Sequence, residues 1–430
     1  MKKISYKTKI LLALSYFLYR ITLDYLYVYA ISPFFDYQYM EFNFNSILYL
    51  LSYVWCLFIF LFDLELFQSN RPSAYILWFT DLLFFIPLSS IIPLAGMMVS
   101  FFFYSLFFWI LMAIFYLRLP KYSKNDDYDR CYIPKTIVYI STFVIVVNLF
   151  FTIYYNGFTI KFDLADVYDI RQDVRDMHLP TFIGYLKPLA SLLGLILLCV
   201  FIIQRRIVWV IILTVIQLMN FAFGALKGDL LILIMVYAIG FFYRPRLKKY
   251  IPLVFVLMNL IAILEFKIQG VSLFCFFIQR RLMFVPPLLS FKYFEFFLVH
   301  EPVYLRDSIM RYIGLSSPYP LEIPRLIGDE LFNESEMNAN TGILGDDFAQ
   351  FKWFALFIYP FFRVKLMQLL DYSAKRVDSR LLIFLGFSFS ISFISGSLFS
   401  ILLTGGFLAV CLLFYYWTKL MEDKYKKTTK

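Results

Sequence analysis

The chain has 430 residues, 61% of them hydrophobic, 21% aromatic and only 16% charged, with a formal charge of +10. A soluble globular enzyme carries about 45–50% apolar and about 25% charged residues, so that class is excluded. A basic soluble chain would point to nucleic acid, but here the meaning of the charge depends on which side of a membrane it falls. The five cysteines, Cys56, Cys131, Cys199, Cys275 and Cys411, show no CxxC spacing and no accompanying His cluster, so neither a disulfide scaffold nor a zinc ribbon is expected.

In chain order, MKKISYKTK is a basic flank, and the apolar stretch after it continues to about residue 31 with no AxA-type cleavage site. It reads as a first membrane anchor that is kept. A bilayer-spanning helix needs about 20 mostly apolar residues. That length predicts spans at 10–31, 44–62, 74–91, 95–117, 136–156, 181–203, 207–225, 229–243, 250–268, 353–370, 381–395 and 397–417, twelve in all. Residues 82–117 and 381–418 each run without one charge and are too long for a single crossing. The first is expected to break among Pro87, Ser89, Ser90, Pro93 and Gly96, the second at Ser395, Gly396 and Ser397. The expected fold is therefore all-α: one polytopic membrane domain over 1–430.

Lys and Arg mark the cytoplasmic loops. With both termini inside, 26 of the 40 fall on the cytoplasmic side, among them those of 363–380, and 11 fall outside. Counting acids the same way gives +17 inside and −7 outside, with Asp63 and Glu65 read as cytoplasmic. A nucleic-acid partner loses its support. Two outer segments are long, 157–180 and the large loop 269–352; an outer loop of that size is normally functional or folded. The large loop opens with RRLMFVPPLLSFKYFEFFLV, suited to a helix lying at or dipping into the interface. It continues through PVYLRDSIMRYIG, with helical character, and the proline-marked SSPYPLEIP, and closes with NESEMNANTGILGDDF.

Both histidines, His178 and His300, lie on these outer loops, as either general bases or interfacial polar groups. The scarce outer cations cluster as Arg171 with Arg175 and as Arg280 with Arg281. Guanidinium pairs suit a pyrophosphate. The first pair could equally neutralise Asp169, Asp173 and Asp176, and the second could be a flank reaching the headgroups. Lys227, in GALKGD, is a phosphate ligand or a partner for Asp229. Within spans, Arg20 and Asp24 are one turn apart and expected to pair, leaving Asp81 without a local partner. Asp346 and Asp347 lack a DxD spacing, Glu334 with Glu336 is the one outer ExE, and there is no Walker lysine motif and no GxSxG. No metal or cofactor is expected.

The ten-to-fourteen-span architecture with one dominant outer loop, together with DVYDIR (166–171), RRLMFVPP (280–287) and NANTGILGDDF (338–348), resembles the bacterial O-antigen or oligosaccharide repeat-unit polymerases. The resemblance implies a metal-independent membrane glycosyltransferase of the C-type class in the bacterial cytoplasmic (inner) membrane. Donor and acceptor would be glycans on undecaprenyl pyrophosphate, extended on the outer face into O-antigen, capsule or exopolysaccharide, and a chain-length regulator and a flippase would be partners. On that reading Arg280 and Arg281, helped by Lys227 and Arg171, bind the leaving pyrophosphate. His300, with Glu301 as the alternative, positions or deprotonates the acceptor, and Asn340 and Asp347 contact sugar. A lipid-linked oligosaccharide flippase and an O-antigen ligase are the competing readings.

Overall fold

A computed structural model describes residues 4–118, 120, 132–156, 180–224, 227–333 and 337–428. Its regular elements are all helical, and ten helices are long and apolar enough to cross a membrane, with three shorter apolar ones at Ile207–Phe221, Leu230–Phe242 and Ser379–Ser395. The chain is a multi-pass membrane protein. Each of the twelve stretches marked in the sequence falls on one of these helices. The helix without a counterpart among the twelve is Cys275–Val299. Where the sequence reads as one membrane domain, the helices pack into two compact units.

The first unit comprises Met1–Pro120, Arg246–Met367 and Phe389–Leu398. Helix α1 (Tyr6–Leu26) starts where the Ser5 side chain accepts the Thr8 N–H, and α2 (Ser46–Phe67) where Asn45 accepts from Leu48. Both are side-chain caps on otherwise unpaired amides. Helix α3 (Pro72–Leu94) opens on proline, which needs no hydrogen-bond acceptor at a helix start, and its apolar window is entirely buried. The chain does not break at Pro87. A π-helical turn at Asp81–Phe85 widens the ladder just before the residue that withholds a donor. The break comes instead at Ala95–Met98, before α4 (Val99–Arg118). There Gly96 has φ +60°, and a Cβ on it would meet Asn43 at 2.7 Å. Asn43 N–H donates to the Leu94 carbonyl at 2.8 Å, so residues 40–45 and the end of α3 share one end of the bundle.

Ionisable side chains inside this unit are paired. Arg20 binds Asp24 and donates to Ser52 Oγ and the Ser89 carbonyl at 3.0 Å each. Asp24 also accepts from Tyr49, Tyr53 and Ser90. Asp81 does find a partner. It accepts from Trp109 Nε1 at 2.9 Å and lies near Asp63, whose carboxylate accepts from the Tyr16 hydroxyl. Asp63 is thus a buried group within α2, which runs to Phe67. Lys248, on a 3-10 turn ahead of α9 (Ile251–Gln269), points its ammonium at the carbonyls of Phe67 (2.9 Å) and Ser69 (2.5 Å) under the rings of Tyr75 and Trp78.

Helix α10 (Cys275–Val299), which falls inside the stretch read in the sequence as the large outer loop, is itself long and apolar enough to cross a membrane. Near its start Phe276 packs on Phe35 at 4.9 Å, and Arg280 donates to Gln38 at 2.7 Å. Further on, Lys292 lies 3.9 Å over Tyr39, and Phe291 and Phe294 pack on Phe101 in the first turn of α4. Arg280 and Lys292 are about 18 Å apart along a helix, yet both halves touch residues 35–39. Between them Met283 sits 3.5 Å from the Tyr19 hydroxyl, deeper in the bundle. The helix is mostly buried in the first unit.

The second unit comprises Lys121–Pro245, Gln368–Ser388 and Phe399–Lys430. Its centre is α6 (Thr181–Ile203), against which α5 (Lys135–Asn156), α7 (Ile207–Gly224) and α8 (Lys227–Phe242) pack. Gly240 lets α8 approach closely, since a Cβ there would fall 2.7 Å from Ile202. Small residues of this kind supply helix contact where water cannot drive it. Polar groups close the seams, with Gln217 donating to the Ser191 carbonyl at 3.1 Å and Thr418 to that of Ser373 at 2.7 Å.

Candidate functional site

The segment after α10 folds back on that helix. Tyr293 donates to the Ala339 carbonyl at 2.9 Å, and Ser290 bonds Thr341 at 3.0 Å. Gly342 is pressed against the end of Ser379–Ser395, where a Cβ would meet the Phe393 carbonyl at 2.3 Å. A short amphipathic helix, α11 (Ile323–Phe332), which no pattern in the sequence had marked, buries Ile323, Leu326 and Ile327. Tyr39 anchors it by donating to Leu331 O at 2.6 Å.

Leu344, at φ +70°, leads into α12 (Gly345–Phe351), and Lys352, at φ +49°, reverses the chain into α13 (Ala355–Ser373). The reversal has a direct consequence. Asp347 and Arg363 would be about 24 Å apart on one continuous helix, but Arg363 Nε and Nη2 bind the two Asp347 oxygens at 2.9 and 2.6 Å. The sequence puts Asp347 outside and Arg363 among the cytoplasmic cations. They are one fully buried pair.

Around this pair gather Asp346, Asp307, Gln350 and Tyr293. Asp346 is 8% exposed and lies within electrostatic range of Asp347, Asp307 and Arg363. Gln350 Nε2 reaches both Asp307 oxygens at 3.4 Å and lies near Asp346, while Gln350 Oε1 accepts the Leu305 N–H at 2.7 Å. Burial pushes the Asp307 carboxyl above its usual range, and Glu322 nearby adds to the effect. The backbone over it is strained: Tyr304 and Leu305 have φ of +53° and +60°, conformations costly for bulky side chains. Four left-handed non-glycine residues, at 304, 305, 344 and 352, frame one acidic cluster.

The residues singled out in the sequence are distributed unevenly around it. His300 caps α10 on the rim, exposed, stacked 3.8 Å from Phe296, with Nδ1 2.8 Å from the Phe296 carbonyl. Donation from Nδ1 leaves Nε2 as the acceptor. Glu301, also exposed, is held by Arg306 at 2.6 Å, and its carbonyl accepts from Tyr319. Asn340 is exposed on the returning strand of chain. Arg280 is occupied by Gln38 and by the Phe35 ring at 4.1 Å, while Arg281 is exposed. Both lie about 30 Å from His300 along α10, so the structure does not bring them to one bond. Lys227 opens α8 in the second unit, its side chain outside the described residues, as are Arg171, Arg175 and His178.

Sequence reading missed Arg363, Asp307 and Gln350, and weighed Asp346 only beside Asp347 as an acid pair without DxD spacing. The available signal was an arginine in the apolar run ALFIYPFFRVKL with no partner in reach on its own helix. Among the described residues no group of His, Cys, Asp and Glu is arranged to hold a metal ion. No family model, curated protein or solved structure matches the chain.

Proposed function

We propose that this protein is a membrane glycosyltransferase that joins undecaprenyl-pyrophosphate-linked oligosaccharide repeat units into a surface polysaccharide. The observation that carries the reading is the carboxylate and amide cluster of Asp307, Asp346 and Gln350, set under strained backbone at one end of an apolar bundle. Carboxylates and amides are the acceptors that sugar hydroxyls need, and the surrounding helices offer the lipid an apolar flank. The resemblance noted in the sequence supports the same class.

In this reading α10 lies within one leaflet, the other apolar helices make twelve crossings, both termini are cytoplasmic and the cluster faces outward. His300 Nε2 or Glu301 takes the proton of the acceptor hydroxyl, whose oxygen bonds the anomeric carbon as the C–O bond to the pyrophosphate breaks, and the pyrophosphate leaves with that electron pair. Arg306, next to Asp307 in sequence, steadies the departing charge. Arg280 and Arg281 are too distant for that task. They suit the acceptor's own pyrophosphate, which a several-sugar repeat unit separates from the reacting hydroxyl. Asp346 takes the sugar-binding place that Asp347, tied to Arg363, cannot fill, with Asn340 at the rim.

Purified protein in vesicles, supplied with a lipid-linked repeat unit from its own host, is expected to yield a ladder of longer lipid-linked glycans. Absence of growth with intact substrate would overturn the reading. A flippase is the second reading, favoured by the buried Asp63 and Asp81 pair, since ionisable groups inside a bundle often mark a transport path. Movement of labelled lipid-linked glycan across the vesicle membrane without growth would favour it.

A further inference from the structure

The carboxyls of Asp63 and Asp81 have no part in the glycosyl transfer, yet four helices converge to bring them together. Trp78, one turn before Asp81 on α3, donates to the Tyr16 hydroxyl of α1 at 2.7 Å, and that hydroxyl donates to Asp63 Oδ2 on α2. Trp109 of α4 donates to Asp81 Oδ1 at 2.9 Å and packs edge-on, at 5.8 Å, against Phe62, the neighbour of Asp63. Each acid is only 3% exposed. Their second oxygens, Asp63 Oδ1 and Asp81 Oδ2, are buried with no donor to satisfy them. The surrounding elements supply no counter-charge. Tyr16 and the two indoles give neutral donors that are already engaged, and α2 adds the Cys56 thiol. Arg20 is bound to Asp24, and Lys248 to the carbonyls of Phe67 and Ser69 beside the Trp78 ring. Two like charges side by side in a dry interior cannot both stand, and orphaned acceptors there are costly. A single proton meets both deficits, because it cancels one charge and supplies the missing donor.

We infer that Asp63 and Asp81 share one proton and form a proton-binding site inside the bundle, one carboxyl neutral and donating to its ionised neighbour. The position of the pair gives the proton a route and a point of action. Asp63 lies about 6 Å along α2 from its end at Phe67, and with Tyr16 and Trp78 it lines a narrow crevice beside Leu12, Phe60 and Phe67. The proton therefore exchanges with water at the end capped by Lys248, the O–H bond breaking and its electron pair staying on the carboxylate. Asp81 opens the π-helical turn of α3, a deformation common at functional sites. Loss of the proton leaves two like charges pushing α2 and α3 apart at that turn.

The test is infrared difference spectroscopy of the detergent-purified full chain at neutral pH, the parent minus the nearly isosteric double variant Asp63→Asn with Asp81→Asn. The expected difference is one protonated-carboxyl carbonyl band, shifted in heavy water, together with the bands of one ionised carboxylate. Two carboxylates with no protonated band, or two protonated bands with no carboxylate, would each overturn the inference. Should the double variant not fold, Asp81→Asn alone decides by thermal melting. Its amide donates where the proton did, so its midpoint at neutral pH should match the parent's, and a clearly higher midpoint, as relief of two like charges would give, refutes the shared proton. No glycan growth or movement is read, so failure here is distinct from failure of the polymerase reading, which the vesicle ladder decides.

Discussion

Asp347 and Arg363 meet through two hydrogen bonds of 2.6 and 2.9 Å with neither side chain exposed to solvent. The pair fixes the reversal at Lys352, because it ties α12 to the third turn of α13. Removing one partner of a buried pair leaves an uncompensated charge, at a cost of about 3–5 kcal/mol. Arg363→Ala should therefore lower the thermal midpoint of the purified protein markedly. The double variant Asp347→Leu with Arg363→Met should lose less, because no lone charge remains. A single variant that melts like the parent would remove the pair from its structural role.

Lys248 collects the carbonyls left open at the C-terminal end of α2. A cation there opposes the negative end of the helix dipole, and unsatisfied buried carbonyls cost about 1–3 kcal/mol. Lys248→Met should destabilise the protein by about that amount, whereas Arg246→Ala, at an exposed position of the same turn, should be close to neutral. The comparison by thermal melting in detergent is read as a difference between the two variants.

Asp307 carries a pH signature. Its folded value is raised by burial, so its contribution to stability is fully present below the unfolded value and is lost as pH rises through the folded one. At neutral pH the ionised group works against the fold of 300–344. Asp307→Asn should slow limited proteolysis of that segment at neutral pH, and the advantage should vanish in acid. Slower cleavage of the parent at neutral pH would reverse the sign and refute the assignment.

The rim residues separate chemistry from docking. His300→Ala or Glu301→Gln should reduce polymer growth by about a hundredfold or more for whichever group is the base. Arg280→Ala and Arg281→Ala should instead weaken apparent affinity for the acceptor, seen as shorter chains at low substrate that recover when substrate is raised. If both arginine variants give full-length polymer at every substrate level, their pyrophosphate role is abandoned.

Much of the bundle was legible because apolar runs of spanning length are a property of the chain alone. The break before α4 was placed among the right residues, but Gly96 decides it, since a π-turn absorbs Pro87. Helix α10 was read as part of an outer loop although it is long and apolar enough to cross a membrane, and nothing in the sequence shows that Phe276 and Lys292 approach one short segment. The acidic cluster was only partly visible. Asp347 was marked, but its engagement by Arg363 depends on a chain reversal at Lys352, and lysine is not a residue whose presence announces a left-handed backbone. Asp307 and Asp346 become a pair only once Gln350 lies between them, a long-range consequence of Val303 and Tyr304 bonding Ala349 and Gln350.

The polymerase reading is tested most directly by deleting the gene in its own host and resolving the surface polysaccharide on a gel. The expected result is collapse of the ladder to a single repeat unit, restored by the parent gene and not by an Asp346→Asn variant. An unchanged ladder, or full-length polymer stranded on the carrier lipid, would contradict it.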